Sequence, residues 1–312
     1  MRGKRGRRFD AAQWALENAR DEFPDLTKEN EFLRGELRRA LNLDLDTKPA
    51  KVPATYKRKA GAFRRHFVIP DTQVKPGVPT DHLTWAGRYI ADHASPGDVV
   101  VHLGDHWDMA SLSSYDKGKR CFEGRRYKAD IEAGNAALEL LTAALDGVSV
   151  ERHLLRGNHE NRITRIVEAD PWLEGVVTMD DLKSPGWHVH EFLKPVEIDG
   201  ILYVHYVYNP RNSRPWGGMV STVLKNVGRS FVQGHRQGLE VALQQLPTGE
   251  RRRGIVAGSF YQHSEEFLGP QGDHWRGMLM LTEVQAGDFD VCEVSLDFLR
   301  RRYGSASAGR AK

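Results

Sequence analysis

Val99-Val100-Val101-His102-Leu103-Gly104-Asp105-His106-Trp107-Asp108 is an apolar, β-branched run that stops abruptly at Gly-Asp and hands over to polar and aromatic groups. Such a run reads as a buried strand of an α/β sheet. Ligands of these sheets collect outside the carboxyl ends of the strands, so Asp105 is expected at a site. The pattern recurs at four other places. His66 to Pro70 runs into Asp71-Thr72-Gln73, and Val150 to Leu155 into Arg156-Gly157-Asn158-His159-Glu160. Ile201 to Val204 ends in His205, and Ser230 to Gln233 in Gly234-His235-Arg236-Gln237. The strand ends therefore deliver Asp71, Gln73, Asp105, Asn158, His205, His235 and Gln237, a set of metal-ligand donors.

The succession Asp-x-Gln, Gly-Asp-x-x-Asp, Gly-Asn-His-Glu, lone His and Gly-His-x-Gln, from about Ala62 to Tyr303, resembles the calcineurin-like metallophosphoesterases, two-metal hydrolases of phosphate esters. The resemblance implies an αββα sandwich, two mixed sheets face to face and flanked by helices, where composition alone supports only an α/β or α+β class. It also implies that Asp105 bridges two divalent ions. Asn158, His205 and His235 would complete one site, and Asp71, Gln73 and Gln237 the other. His159 would assist catalysis as a proton donor to the departing oxygen, with Asp108 and Glu160 orienting His159 or the ligands. The family more often has His where this chain has Gln73 and Gln237. Oxygen ligands suit hard cations, so Mn is the expected ion, with Mg, Fe or Zn as alternatives. Loss of the ion at the site of Asp71, Gln73 and Gln237 altogether is the rival outcome.

A length of 312 residues allows one large domain with an appendage. Met1 to Arg8 is basic without a following apolar stretch, so no secretory signal is expected. Two cysteines make no disulfide framework. A soluble, cytoplasmic protein without membrane contact is the expectation. Net charge is +3, but residues 1–66 hold 17 Lys+Arg against 10 Asp+Glu, a surplus of 7, which leaves −4 for the rest. The organisation expected is a basic helical arm over 1–43, a linker over 44–61, the catalytic domain over 62–303 and a disordered tail over 304–312. The arm either touches DNA or RNA or only keeps the chain soluble.

Thr80 is expected to cap a helix carrying Leu83, Gly87 and Ile90, and a longer helix is expected from Tyr127 to Leu145. A further helix should open after Asn158, over Glu160 to Glu168. Asp199-Gly200 signals a hairpin between Pro195 to Ile198 and Ile201 to Val204. Later strands are expected at Glu240 to Leu246, Gly254 to Gly258, Gly277 to Thr282 and Phe289 to Val294. Arg251, Arg252 and Arg253 are expected on an exposed turn, and His102 and His106 in packed or surface roles. Arg211 and Arg214, close after His205, are candidates to bind a phosphate.

The resulting expectation is a metal-dependent phosphodiesterase acting on nucleic acid, from a bacterial or bacteriophage lineage. A phosphomonoesterase, a small-nucleotide phosphodiesterase and a non-catalytic scaffold are the alternatives. Oligomeric state is left open.

Overall fold

The computed structural model describes residues 63–212, 214–264 and 274–304. The expected arm, the linker and the tail beyond Gly304 lie outside the described residues. The chain divides into units Met1–Lys51 and Val52–Lys312, and all described residues belong to the second.

In chain order the strands are β1 (Arg64–Ile69), β2 (Asp98–His102), β3 (Val150–Leu155), β4 (His188–His190), β5 (Val196–Ile198), β6 (Ile201–Val204), β7 (Tyr208–Asn209), β8 (Arg214–Pro215), β9 (Phe231–Gln233), β10 (Leu239–Gln245), β11 (Arg251–Ala257), β12 (Gly277–Gln285) and β13 (Asp288–Ser295). The helices are α1 (Asp81–His93), α2 (Tyr127–Ala144), α3 (Arg162–Ala169), α4 (Val220–Val227) and α5 (Leu296–Tyr303). One sheet has the order β13-β12-β1-β2-β3-β4, the other β10-β11-β9-β6-β5, and both mix parallel and antiparallel pairs. The chain is thus a mixed α/β structure.

Alternation within β1 and β2 explains the layering. Val68, Val99 and Val101 pack with Ile198, Ile201, Tyr203, Val232 and Ile255 of the second sheet, so the two sheets share one core. Phe67, Ile69 and Val100 point the other way, against Leu83 and Ile90 of α1, Leu138 and Leu141 of α2 and Leu299 of α5. Because both faces of β2 are covered, its sequence is apolar without interruption. On the far side of the second sheet, Val220, Val223 and Leu224 of α4 pack on Phe231 and Val256.

Several expectations shift in detail. The strand β11 begins at Arg251, so the three arginines expected on a turn belong to a strand, paired through Leu243↔Arg253 to Gln245↔Arg251. The last turn falls on Ala286-Gly287, since Gln285 faces Asp288. Helix α3 starts at Arg162 rather than Glu160, because the intervening residues form turns that aim Asn158 and Glu160 inward. The elements β4, β7, β8, α4 and α5 had no clear sequence signal.

The Asp199-Gly200 hairpin is present, with Ile198 facing Ile201. Asp199 has φ 49°, in the left-handed region that Asn and Asp tolerate. Its carboxylate accepts from Arg64 Nε at 2.6 Å and lies 3.1 Å from His66 Nε2, while Arg64 also reaches Glu151 at 2.9 Å. Burial would raise the Asp199 pKa, but His66 and Arg64 outweigh it and hold the group below the usual value. A depressed carboxylate contributes stability above its unfolded pKa and loses it as pH falls through the folded value. Asp199→Asn keeps the turn and removes the charge, so denaturant titration at pH 7 should show a loss of about 2–3 kcal/mol. The loss should shrink as pH drops below about 4. A pH-independent deficit would assign the effect to the turn rather than to the ion pair.

Candidate metal centre

Parallel pairing of β1 with β2, β2 with β3, and β6 with β9 brings the carboxyl ends of all five strands to one end of the two sheets. Leu103 and Asp105 follow β2, Asn158 follows β3, His205 follows β6 and His235 follows β9. Asp105, His205 and His235 each offer a ligand atom within 4.8 Å of the other two. His205 Nε2 lies 2.9 Å from Asn158 Oδ1 and 3.3 Å from Asp105 Oδ2, and its Nδ1 is 2.9 Å from the Leu103 carbonyl oxygen. That last bond leaves Nε2 as the nitrogen facing the centre.

Asp71 is fully buried, and its Oδ1 accepts from the His235 backbone N–H at 2.9 Å. Its Oδ2 is buried with no hydrogen-bond partner among the described residues. A buried carboxylate oxygen in that condition needs a cation or a proton. Burial accordingly lifts Asp71 to about 7, against the pull of His205 and with Asp105 adding to the rise. Asp105 moves the other way: burial would raise it, but His159 and His205 outweigh that and hold it below the ordinary range. His205 is raised to about 9, since the Asp105 and Asp71 charges overcome its burial. His235 is driven down to about 4 by burial, with His205 assisting. These donors fit a divalent cation, which would supply the positive charge that the protonated His205 provides in its place.

The backbone is shaped for the same convergence. Gln73, Asp105, His235 and Gln237 all have positive φ, from 40° to 67°, and none is glycine. Such strain concentrates where the surrounding structure fixes a functional geometry. Gly157 has a separate reason to be glycine, since a Cβ there would sit 2.1 Å from Asp105 Oδ1.

Gln73 lines the cavity above the centre, and its backbone N–H donates to the Asp105 carbonyl at 2.9 Å. Gln237 lines it too, but its Oε1 accepts from the Tyr261 hydroxyl at 2.7 Å. The oxygen expected to hold an ion is therefore engaged in this orientation. A half-turn of the amide would free it, with the Tyr261 hydroxyl then donating to His274 Nδ1, 2.7 Å away. Tyr261 had no sequence signal at all.

His159 sits beside the donors. Its Nδ1 is 2.7 Å from Asp108 Oδ1, and its Nε2 is 3.7 Å from Asp105 Oδ2. Burial would lower its pKa, but Asp105 and Asp108 raise it above the usual value. Asp108 is thus placed to orient the His159 ring. Arg162, which the sequence did not single out, places Nη2 3.2 Å from His159 Nε2 and donates from Nη1 to the Asp108 carbonyl at 2.8 Å. His102 and His106 are buried, both sharing the Thr72 hydroxyl, at 3.2 and 2.8 Å.

Arg211 and Arg214 need correction as substrate ligands. Both are exposed in or beside the β7–β8 hairpin, with Asn209 and Asn212 side chains accepting their backbone N–H groups, and neither is among the residues lining the cavity. The cavity wall comes instead from the segment after Asp108, including Ser113, Lys119 and Arg125.

Glu160 locks the arrangement. Its carboxylate accepts backbone N–H groups from Gly157 at 2.7 Å, Asp105 at 3.1 Å, His106 at 2.6 Å and Trp107 at 3.0 Å. Glu160→Gln offers one acceptor oxygen where two are used and turns an NH2 toward N–H donors. The variant should lose about 3 kcal/mol, or roughly 6–12 °C in melting temperature for a domain of this size. It should also bind Mn more weakly by calorimetry, and an unaltered melting temperature and Mn affinity would refute this role.

No protein-family model matches the chain. A trans-aconitate 2-methyltransferase of Streptomyces coelicolor is 34% identical over 98 residues, 31% of this chain. The chain spans only 30% of the length of this curated relative. An overlap that short assigns no family. The relative's name is that of a methyltransferase, and this finding overturns the expected function, including the nuclease, phosphomonoesterase, small-nucleotide and bacteriophage readings. The relative is an enzyme, so the coarser expectation of an enzyme keeps its support. No helix among the described residues is long and apolar enough to cross a membrane.

Proposed function

We propose that the chain is a metalloenzyme with a two-ion centre, of the kind found in calcineurin-like metallophosphoesterases, that hydrolyses an ester bond of a class left unassigned. The supporting observation is the convergence of Asp105, His205 and His235 within 4.8 Å, beside a buried Asp71 with an unpartnered oxygen. Asn158 Oδ1 joins them through its 2.9 Å approach to His205. Divalent ions bound there would supply Lewis acidity and neutralise charge building on the substrate's oxygens. His159 has Nδ1 on Asp108 and Nε2 between Asp105 and Arg162, so its protonated form, with the Arg162 guanidinium displaced from Nε2 by substrate, would pass a proton from Nε2 to a departing oxygen. Asp108 fixes the ring for that transfer, and Arg162 closes the same side of the cavity. Gln73, and Gln237 once its amide is turned from Tyr261, would favour Mn or Mg over Zn beside Asp71.

A second reading, methyl transfer, rests on the partial likeness to the Streptomyces enzyme. Metal analysis of the purified chain should find up to two ions, fewer in Asp105→Asn. Aryl carboxylate, sulfate and phosphate esters should be assayed with Mn, Mg, Fe, Zn or chelator, and trans-aconitate with a methyl donor. Turnover of at least one ester, abolished by chelator and by Asp105→Asn, is the expected result. Methyl transfer without bound metal would overturn the proposal.

His159→Asn separates roles within the centre. It should retain metal yet lose about 10²–10⁴-fold in turnover, most for esters with poor leaving groups. Equal losses for good and poor leaving groups would make His159 a structural group.

A further inference from the structure

The two large sheets end in edge strands, β13 and β4 in one, β10 and β5 in the other. An edge strand presents unpaired backbone N–H and C=O groups to any chain able to pair with it, and proteins blunt such edges with short strands, charges or bulges. Three of these edges are blunted in those ways. The strands β4 and β5 have three residues each. The strand β13 exposes Asp290 and Glu293, and its pairing with β12 shifts register between Thr282 and Gln285. The fourth edge is not blunted. Strand β10 runs seven residues, Leu239-Glu240-Val241-Ala242-Leu243-Gln244-Gln245, in unbroken register with β11 and without Pro, Lys or Arg.

The direction of its backbone groups follows from its neighbours. Leu246 N–H donates to the Glu250 carbonyl at 2.9 Å, and Arg253, which faces Leu243, donates its N–H away from β10 to the Ser230 hydroxyl at 3.0 Å. Hydrogen-bonded and non-hydrogen-bonded pairs alternate along an antiparallel ladder. Glu240, Ala242 and Gln244 therefore bond to β11, and Leu239, Val241, Leu243 and Gln245 aim their N–H and C=O groups at the open edge. Two of those residues carry exposed apolar side chains, Val241 at 47% and Leu243 at 56%. Both lie on the face turned from α4, because Ala242 between them packs in the α4 cluster.

The sequence of β10 fits an antiparallel copy of itself. With Ala242 facing Ala242 of the second copy, all seven residues find a partner. Val241 then faces Leu243 and Leu243 faces Val241, so the apolar side chains of both copies gather on one face. Glu240 faces Gln244, and Arg236 of its own copy already pairs with it, so no like charges meet. We infer that β10 is the contact between two copies of this chain, paired antiparallel about a two-fold axis at Ala242, which joins two five-stranded sheets into one continuous sheet. A strand of seven residues from each copy is a small interface, so a micromolar dimer is expected.

Sedimentation velocity of the full chain across about 1–100 µM should show a monomer–dimer equilibrium. Leu243→Lys puts a charge on the pairing edge and should weaken association at least about tenfold. The Ala242 pair is of the non-hydrogen-bonded kind, with Cα atoms about 4.5 Å apart, which is within disulfide reach. Ala242→Cys, combined with Cys121→Ser and Cys292→Ser, should therefore form a covalent dimer under mild oxidant. Circular dichroism of both variants should match that of the unaltered chain. A chain that stays monomeric at about 100 µM, a dimer that Leu243→Lys leaves intact, or a dimer that Ala242→Cys does not cross-link would each overturn the proposal.

Discussion

The Glu160 carboxylate, receiving four backbone N–H groups from two loops, is the interaction on which the rest of the centre depends. Loops at strand ends expose N–H groups that no sheet partner satisfies, and in a buried place each would cost free energy. One side chain answers for both loops at once. It ties the segment from Asp105 to Trp107 to the segment at Gly157, and so sets how far Asp105 stands from Asn158. His159 follows from the same anchor, because its backbone N–H donates to Asp105 Oδ1 at 2.9 Å.

With the loops fixed, charge is arranged by unequal burial. Asp105 keeps its charge because His159 and His205 face it, whereas Asp71, with the His235 N–H on one oxygen and no hydrogen-bond partner among the described residues on the other, is lifted to about 7. Four strained residues, Gln73, Asp105, His235 and Gln237, lie in the same small region. Such conformations cost free energy, and here the interior packing and the Glu160 bonds oppose relaxation. Asp199 and Ala286 take the same backbone region at hairpin turns, and elsewhere strands alternate and helices cover the outer faces.

Much of this was legible in the sequence because it depends on local pattern. Val99 to Val101 announced a strand covered on both faces, and Asp199-Gly200 announced its hairpin to the residue. Glu160 was singled out as a group that orients others, although nothing in the sequence counted its four partners. Contacts between distant segments were harder to read. Tyr261 reaches Gln237 across 24 positions, and no periodicity marks such a pair. Arg211 and Arg214 looked attractive by proximity to His205 along the chain, but the β7–β8 hairpin turns them outward. The cavity's own cations come from separate stretches, Lys75 after β1, Lys119 and Arg125 between β2 and α2, and Arg162 at the start of α3, and no local pattern joins them. The function first inferred from the order of motifs did not survive the comparison with a curated relative, whereas the donor convergence is a matter of geometry alone.

The donors also come from both sheets: Asp71, Asp105 and Asn158 follow strands of one, His205 and His235 strands of the other. The two layers otherwise meet through apolar side chains, which are tolerant of small sliding motions. A cation gripped by residues of both would act as a rivet across that seam, stabilising the native state in proportion to its occupancy. The same seam could loosen when the ion departs, so the spacing of the sheets and the loading of the centre would be two readings of one equilibrium.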